Sequence, residues 1–137
     1  MKKVLLVSHG EMAIGTKKAV EMIAGKSDNL DALCLSEDGN IEQLKATLES
    51  KINTYGDNQV VVVADLMGGS PYIATIDVLT RQKRLENSFV VAGMNLPLVL
   101  SLVMADEVDK GSIKAMIEDS KNYILLFEEN DDDEVDF

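Results

Sequence analysis

Short runs of consecutive apolar residues alternate along this chain with longer stretches whose apolar positions recur every three or four residues. Residues 3–7 form a Val/Leu run of the kind found in strands covered on both faces. Residues 13–24 follow with helical spacing, Ile14, Ala19, Val20 and Ile23 being apolar, and Gly25 supplies a stop. A second strand is predicted over 30–35. A helix over 41–55 then places Ile41, Leu44, Leu48 and Ile52 on one face. Residues 59–64 hold four consecutive valines, which predicts a central strand. Ser70 and Pro71 suit the N-cap and first position of the next helix. A fourth strand is read at 89–92, and a helix that is apolar almost all round runs from Pro97 to Met104. A short helix near 112–120 precedes a last apolar strand, 123–127.

Strands alternating with helices predict an α/β fold. It has three layers and a mostly parallel, doubly wound sheet. The 123–127 run (Tyr-Ile-Leu-Leu-Phe) is apolar on both faces, which a free edge strand does not tolerate. It is expected to pair with a second copy of the chain in a homodimer.

Composition narrows this picture. At 137 residues the chain fits one domain. The single cysteine, Cys34, has no partner for a bridge within the chain and is read as a buried core thiol. The Met-Lys-Lys start leads into too short an apolar run for a signal peptide, and 96–105 is about half a membrane span, so the expected compartment is the cytoplasm. The net charge of −11 is concentrated at the C-terminus. Glu128, Glu129, Asp131, Asp132, Asp133, Glu134 and Asp136 account for seven negative charges and leave −4 for the rest. Without a basic face the chain is not expected to bind nucleic acid. Residues 1–128 are read as the domain and 129–137 as an acidic, disordered tail.

The chemistry is sought at the carboxyl ends of the strands, where such sheets bind ligands. Strand one ends in Ser8-His9-Gly10-Glu11, strand three in Asp65-Leu66-Met67-Gly68-Gly69-Ser70-Pro71, and strand four in Gly93-Met94-Asn95-Leu96-Pro97. His9 is the only histidine. Neutral imidazole is a nucleophile near pH 7 and needs only the right tautomer and orientation to attack phosphorus. A carboxylate on one ring nitrogen fixes both, and Asp65 is placed for that task. Gly68, Gly69 and Ser70 lead into a helix whose unpaired N–H groups suit a phosphate. No lysine follows the glycines, so this is not a nucleotide P-loop. The set calls for no metal and no cofactor.

On Ser8-His9-Gly10, Asp65 with Gly68-Gly69-Ser70-Pro71, and Gly93-Met94-Asn95-Leu96-Pro97, the chain resembles the enzyme IIA domain of the mannose family of the phosphoenolpyruvate-dependent sugar phosphotransferase system. The resemblance implies that His9 takes a phosphoryl group from the phosphocarrier HPr and passes it to enzyme IIB. Asp65 would be its hydrogen-bonding partner, and the membrane components IIC and IID would be served indirectly. It also implies a homodimer that exchanges one antiparallel strand. The alternative is the phosphotransferase subunit serving dihydroxyacetone kinase. Leu6-Val7-Ser8-His9-Gly10-Glu11 also looks like the histidine phosphatase signature, but Ser8 stands where that family needs arginine and a second histidine is missing. A response-regulator receiver would need an acidic pair where Ser8-His9 stands.

Overall fold

A computed structural model describes residues 1–129. Four strands, β1 (Lys2–His9), β2 (Leu30–Leu35), β3 (Gln59–Ala64) and β4 (Ser88–Ala92), form one sheet in the order β2-β1-β3-β4 with every pairing parallel. Five α-helices accompany them: α1 (Met12–Ala24), α2 (Ile41–Asn53), α3 (Ser70–Arg81), α4 (Leu96–Met104) and α5 (Lys110–Lys121).

The uninterrupted apolar runs in β1 and β3 are explained by the layers on either side. Successive side chains of a strand point to opposite faces. Val4, Leu6, Val61 and Val63 therefore face α1, α4 and α5, where they meet Ala13, Val20, Leu98, Val99, Leu102 and Ile113. Leu5, Val7, Val60 and Val62 face α2 and α3, packing on Leu44, Leu48, Ile52, Ala74, Val78 and Leu79. Each of these eight strand side chains is fully buried, a burial that contributes roughly 1.5–3 kcal/mol apiece.

Four details depart from the sequence reading. In α1 the buried residues are Ala13 and Val20, while Ile14 and Ile23 are exposed along with Met22, because the helix turns only a narrow stripe toward β1, β2 and α4. The N-cap of α3 is Gly69, so Ser70 is the first residue inside the helix and not its cap. Cys34 is partly exposed rather than a fully buried thiol, since β2 is an edge strand. Residues 123–127 form no strand in the single chain: two turn hydrogen bonds, from the Tyr123 and Ile124 N–H groups, close the end of α5, and all five residues are 63–79% exposed. The sheet of one chain is thus wholly parallel. Most of the acidic segment, residues 130–137, lies outside the described residues.

Candidate functional site

The strand order reverses between β1 and β3, which opens a crevice at the carboxyl ends of these two strands. His9 is the last residue of β1, and Asp65 directly follows β3. The parallel register carries the two chains out of the sheet side by side, with the Asp65 N–H donating to the Val7 carbonyl at 3.2 Å. His9 and Asp65 therefore meet because two neighbouring strands end at the same level.

Asp65 Oδ2 accepts the backbone N–H of His9 at 2.9 Å and lies 2.9 Å from His9 Nδ1. A carboxylate only accepts, so the ring nitrogen facing it carries the proton. The neutral ring is then held with Nδ1 protonated and the lone pair on Nε2. The His9 side chain is 48% exposed and that of Asp65 11%, so the carboxylate is covered while the ring projects to solvent. Burial pushes the Asp65 carboxyl up, but bonds from the His9 backbone and ring, the charge of His9 and the Leu66 backbone outweigh it, leaving it below the ordinary carboxylate range.

The β3–α3 turn is shaped around the ring. Gly68 has φ +79°, a left-handed conformation that favours glycine. Gly69 has an ordinary φ of −73°, and its reason for being glycine is steric. A Cβ there would sit 3.0 Å from Cε1 of His9 and 3.3 Å from the Leu66 carbonyl oxygen. The Gly69-Ser70 peptide opens α3, whose first N–H groups have no intrahelical acceptor. Ser70 is exposed, and its hydroxyl makes no hydrogen bond among the described residues. The structure thus sets both Asp65 and Gly69 against the His9 ring, with Gly68 and Ser70 as neighbours along the same turn. Asn95 caps α4 through the Leu98 N–H at 3.0 Å and belongs to the scaffold.

Two features of the surroundings escaped the sequence reading. Met12, the first residue of α1, and Leu66 and Met67, in the β3–α3 connection, are exposed at the same end of the sheet as His9. Glu11, Glu37 and Asp38 are exposed in the connections after β1 and β2, whereas Lys26, Arg81 and Arg84 lie in the segments that lead into β2 and β4, at the amino-terminal end of the strands. Apolar residues in polar loops directly after strands were the available signal. Among the described residues, no three His, Cys, Asp or Glu side chains gather as they would around a metal ion, and no helix is long and apolar enough to cross a membrane.

An open α/β domain presenting one carboxylate-oriented imidazole on its surface is the class that fold and site define. Comparison with known proteins narrows it: residues 3–121 match the family model described as PTS system fructose IIA component, and the chain belongs to that mannose-type enzyme IIA family of the sugar phosphotransferase system. It is 29% identical over 102 residues to the sorbose-specific EIIA component of Lacticaseibacillus casei, covering 74% of this chain and 72% of that protein. It is 27% identical over 108 residues to the fructose-specific EIIA component of Bacillus subtilis, covering 78% and 72% respectively. In fold it is similar to the mannose/sorbose-specific IIA subunit from Enterococcus faecalis, with a TM-score of 0.83 at 22% identity over 96% of this chain and 98% of that one.

Proposed function

We propose that His9 is a phosphoryl carrier, receiving the group from HPr and delivering it to enzyme IIB in the cytoplasm. The observation that carries this reading is the 2.9 Å contact between Asp65 Oδ2 and His9 Nδ1, which leaves Nε2 as the exposed nucleophile. In the forward step the Nε2 lone pair attacks phosphorus. The N–P bond to the donor histidine breaks as the new N–P bond forms, and the donor ring takes back its electron pair. Positive charge grows on the His9 ring during attack, and the Asp65 carboxylate, already bonded to Nδ1–H, stabilises it without moving. The second transfer repeats the exchange with the IIB histidine as attacker. N–H groups at the start of α3, following Gly68 and Gly69, together with the Ser70 hydroxyl, are offered to the phosphoryl oxygens.

An exposed apolar collar of Met12, Leu66 and Met67 supports a protein partner rather than a small substrate. The acidic rim of Glu11, Glu37 and Asp38 suits a donor with a basic docking face. The relatives' names, sorbose- and fructose-specific components, favour a sugar system over the dihydroxyacetone kinase alternative. The reading includes a homodimer, supported by the exposed 123–127 run and by Met22, Ile23 and Met104, which leave apolar surface uncovered in one chain. The test is reconstitution: with phosphoenolpyruvate, enzyme I and HPr the chain takes up label, and adding IIB discharges it. A chain that stays unlabelled beside a working HPr contradicts the reading.

A further inference from the structure

The β1–α1 connection must turn sharply after His9 and start a helix three residues later. Glu11, at the N-cap of α1, has φ −96° and ψ 9° and makes no side-chain capping bond. The bond comes from elsewhere. Ser8 is fully buried, and its Oγ accepts the Ala13 N–H at 2.7 Å, supplying from the strand the partner that a local cap would normally provide. Ser8 lies on the α1 face of β1, in register with Val4 and Leu6, and its neighbour His9 therefore points toward α3. The turn between has one left-handed residue, Gly10 at φ +54°, whose N–H donates to the Leu35 carbonyl at 2.8 Å.

We propose that Ser8 is a positioning residue for the His9 imidazole: its buried hydroxyl ties the end of β1 to the first turn of α1 and so fixes the backbone that carries the ring over Asp65. The inference rests on the phosphoryl-carrier reading for its consequence, but not for its geometry. His9 is anchored through its own backbone N–H to Asp65 Oδ2, the oxygen that also meets Nδ1. Those two bonds coexist only for a narrow range of His9 backbone and side-chain angles. Losing the Ser8 tether frees the 9–12 turn, and the ring bond is the first to lengthen because the side chain is half exposed. A buried serine that served only to satisfy a helix N–H would have no such effect on the ring.

The test compares full-length Ser8→Ala and Ser8→Thr, the latter keeping the oxygen. Nitrogen-15 spectra of the His9 ring in the unphosphorylated protein report which nitrogen holds the proton, and rapid-quench transfer from phospho-HPr reports the rate per folded molecule. Wild type and Ser8→Thr are expected to show the Nδ1–H form. Ser8→Ala is expected to show a mixture of tautomers and transfer slower by about 10- to 100-fold, the scale of a small misplacement. If Ser8→Ala folds poorly, Ser8→Cys, which fills the same space with a much weaker acceptor, should still show the mixture. An unchanged Nδ1–H form in the folded alanine variant overturns the proposal, whatever happens to stability. A changed ring with unchanged transfer leaves the positioning role standing and counts instead against transfer needing the Nδ1–H form held by Asp65.

Discussion

Gly69 lies against the imidazole of His9 so closely that a methyl group on its α-carbon would sit 3.0 Å from Cε1. Its φ of −73° and ψ of 166° are open to any residue, so the constraint is contact and not conformation. Gly69→Ala is therefore expected to fold with stability within about 1 kcal/mol of wild type, alanine reducing the freedom of the unfolded chain. It should transfer phosphate about tenfold more slowly, because the ring must shift by a few tenths of an ångström from its place over Asp65. Stopped-flow or quench measurements beside thermal unfolding separate the two effects.

Asp65→Ala removes both the ring bond and the acceptor for the His9 backbone N–H. The expected outcome is a folded protein, destabilised by about 1 kcal/mol for the lost bond, whose transfer rate falls by two or more orders of magnitude. The assay is single-turnover transfer from phospho-HPr, corrected for the folded fraction.

The same carboxylate predicts a pH dependence of stability. Burial raises its pKa but the bonds from His9 and Leu66 lower it further, so the folded value lies below the unfolded one. A group held low contributes stability that is fully present above its unfolded value, about 3.9, and is lost as pH falls through the folded value. The difference in unfolding free energy between wild type and Asp65→Asn should thus be present at pH 5 and close below about pH 4. Denaturant titrations across this range check it.

If a basic partner docks on the acidic rim, reversing charge there slows encounter. Glu37→Lys with Asp38→Lys, both exposed and outside the His9–Asp65 contact, should lower the second-order rate with HPr and weaken its decline with salt. Unimolecular discharge in a preformed complex should be unaffected.

These residues were unequally legible in the sequence. The valine run 60–63 and the Val/Leu run of β1 announced central strands because burial on both faces leaves no polar alternation to misread. His9 and Asp65 were legible as a pair because parallel neighbours must end together, and strand ends are where apolar runs stop. The cap of α1 was not legible: Ser8 reaches Ala13 from within a strand, and no local cap pattern records a bond across five residues. Nor was the steric role of Gly69, since the glycine-rich turn suggests conformational freedom, which Gly68 uses and Gly69 does not. The 123–127 segment has the composition of a strand, but a strand exists only where its backbone finds a partner, and one chain offers it none.

That segment gives a further prediction. Light scattering of the intact protein should give twice the 15.0 kDa chain mass, and Leu126→Asp should shift it toward monomer, placing a charge in the apolar run. A well-folded monomer at micromolar concentration would refute the exchanged strand.

The central claim is tested most directly by locating the phosphoryl group. Charged with phosphoenolpyruvate, enzyme I and HPr, the chain should carry one acid-labile phosphate on His9, and phosphorus–nitrogen NMR should place it on Nε2. His9→Ala should take up none. Label that survives in His9→Ala, or a phosphate bonded to Nδ1 with the Asp65 contact displaced, would contradict the account.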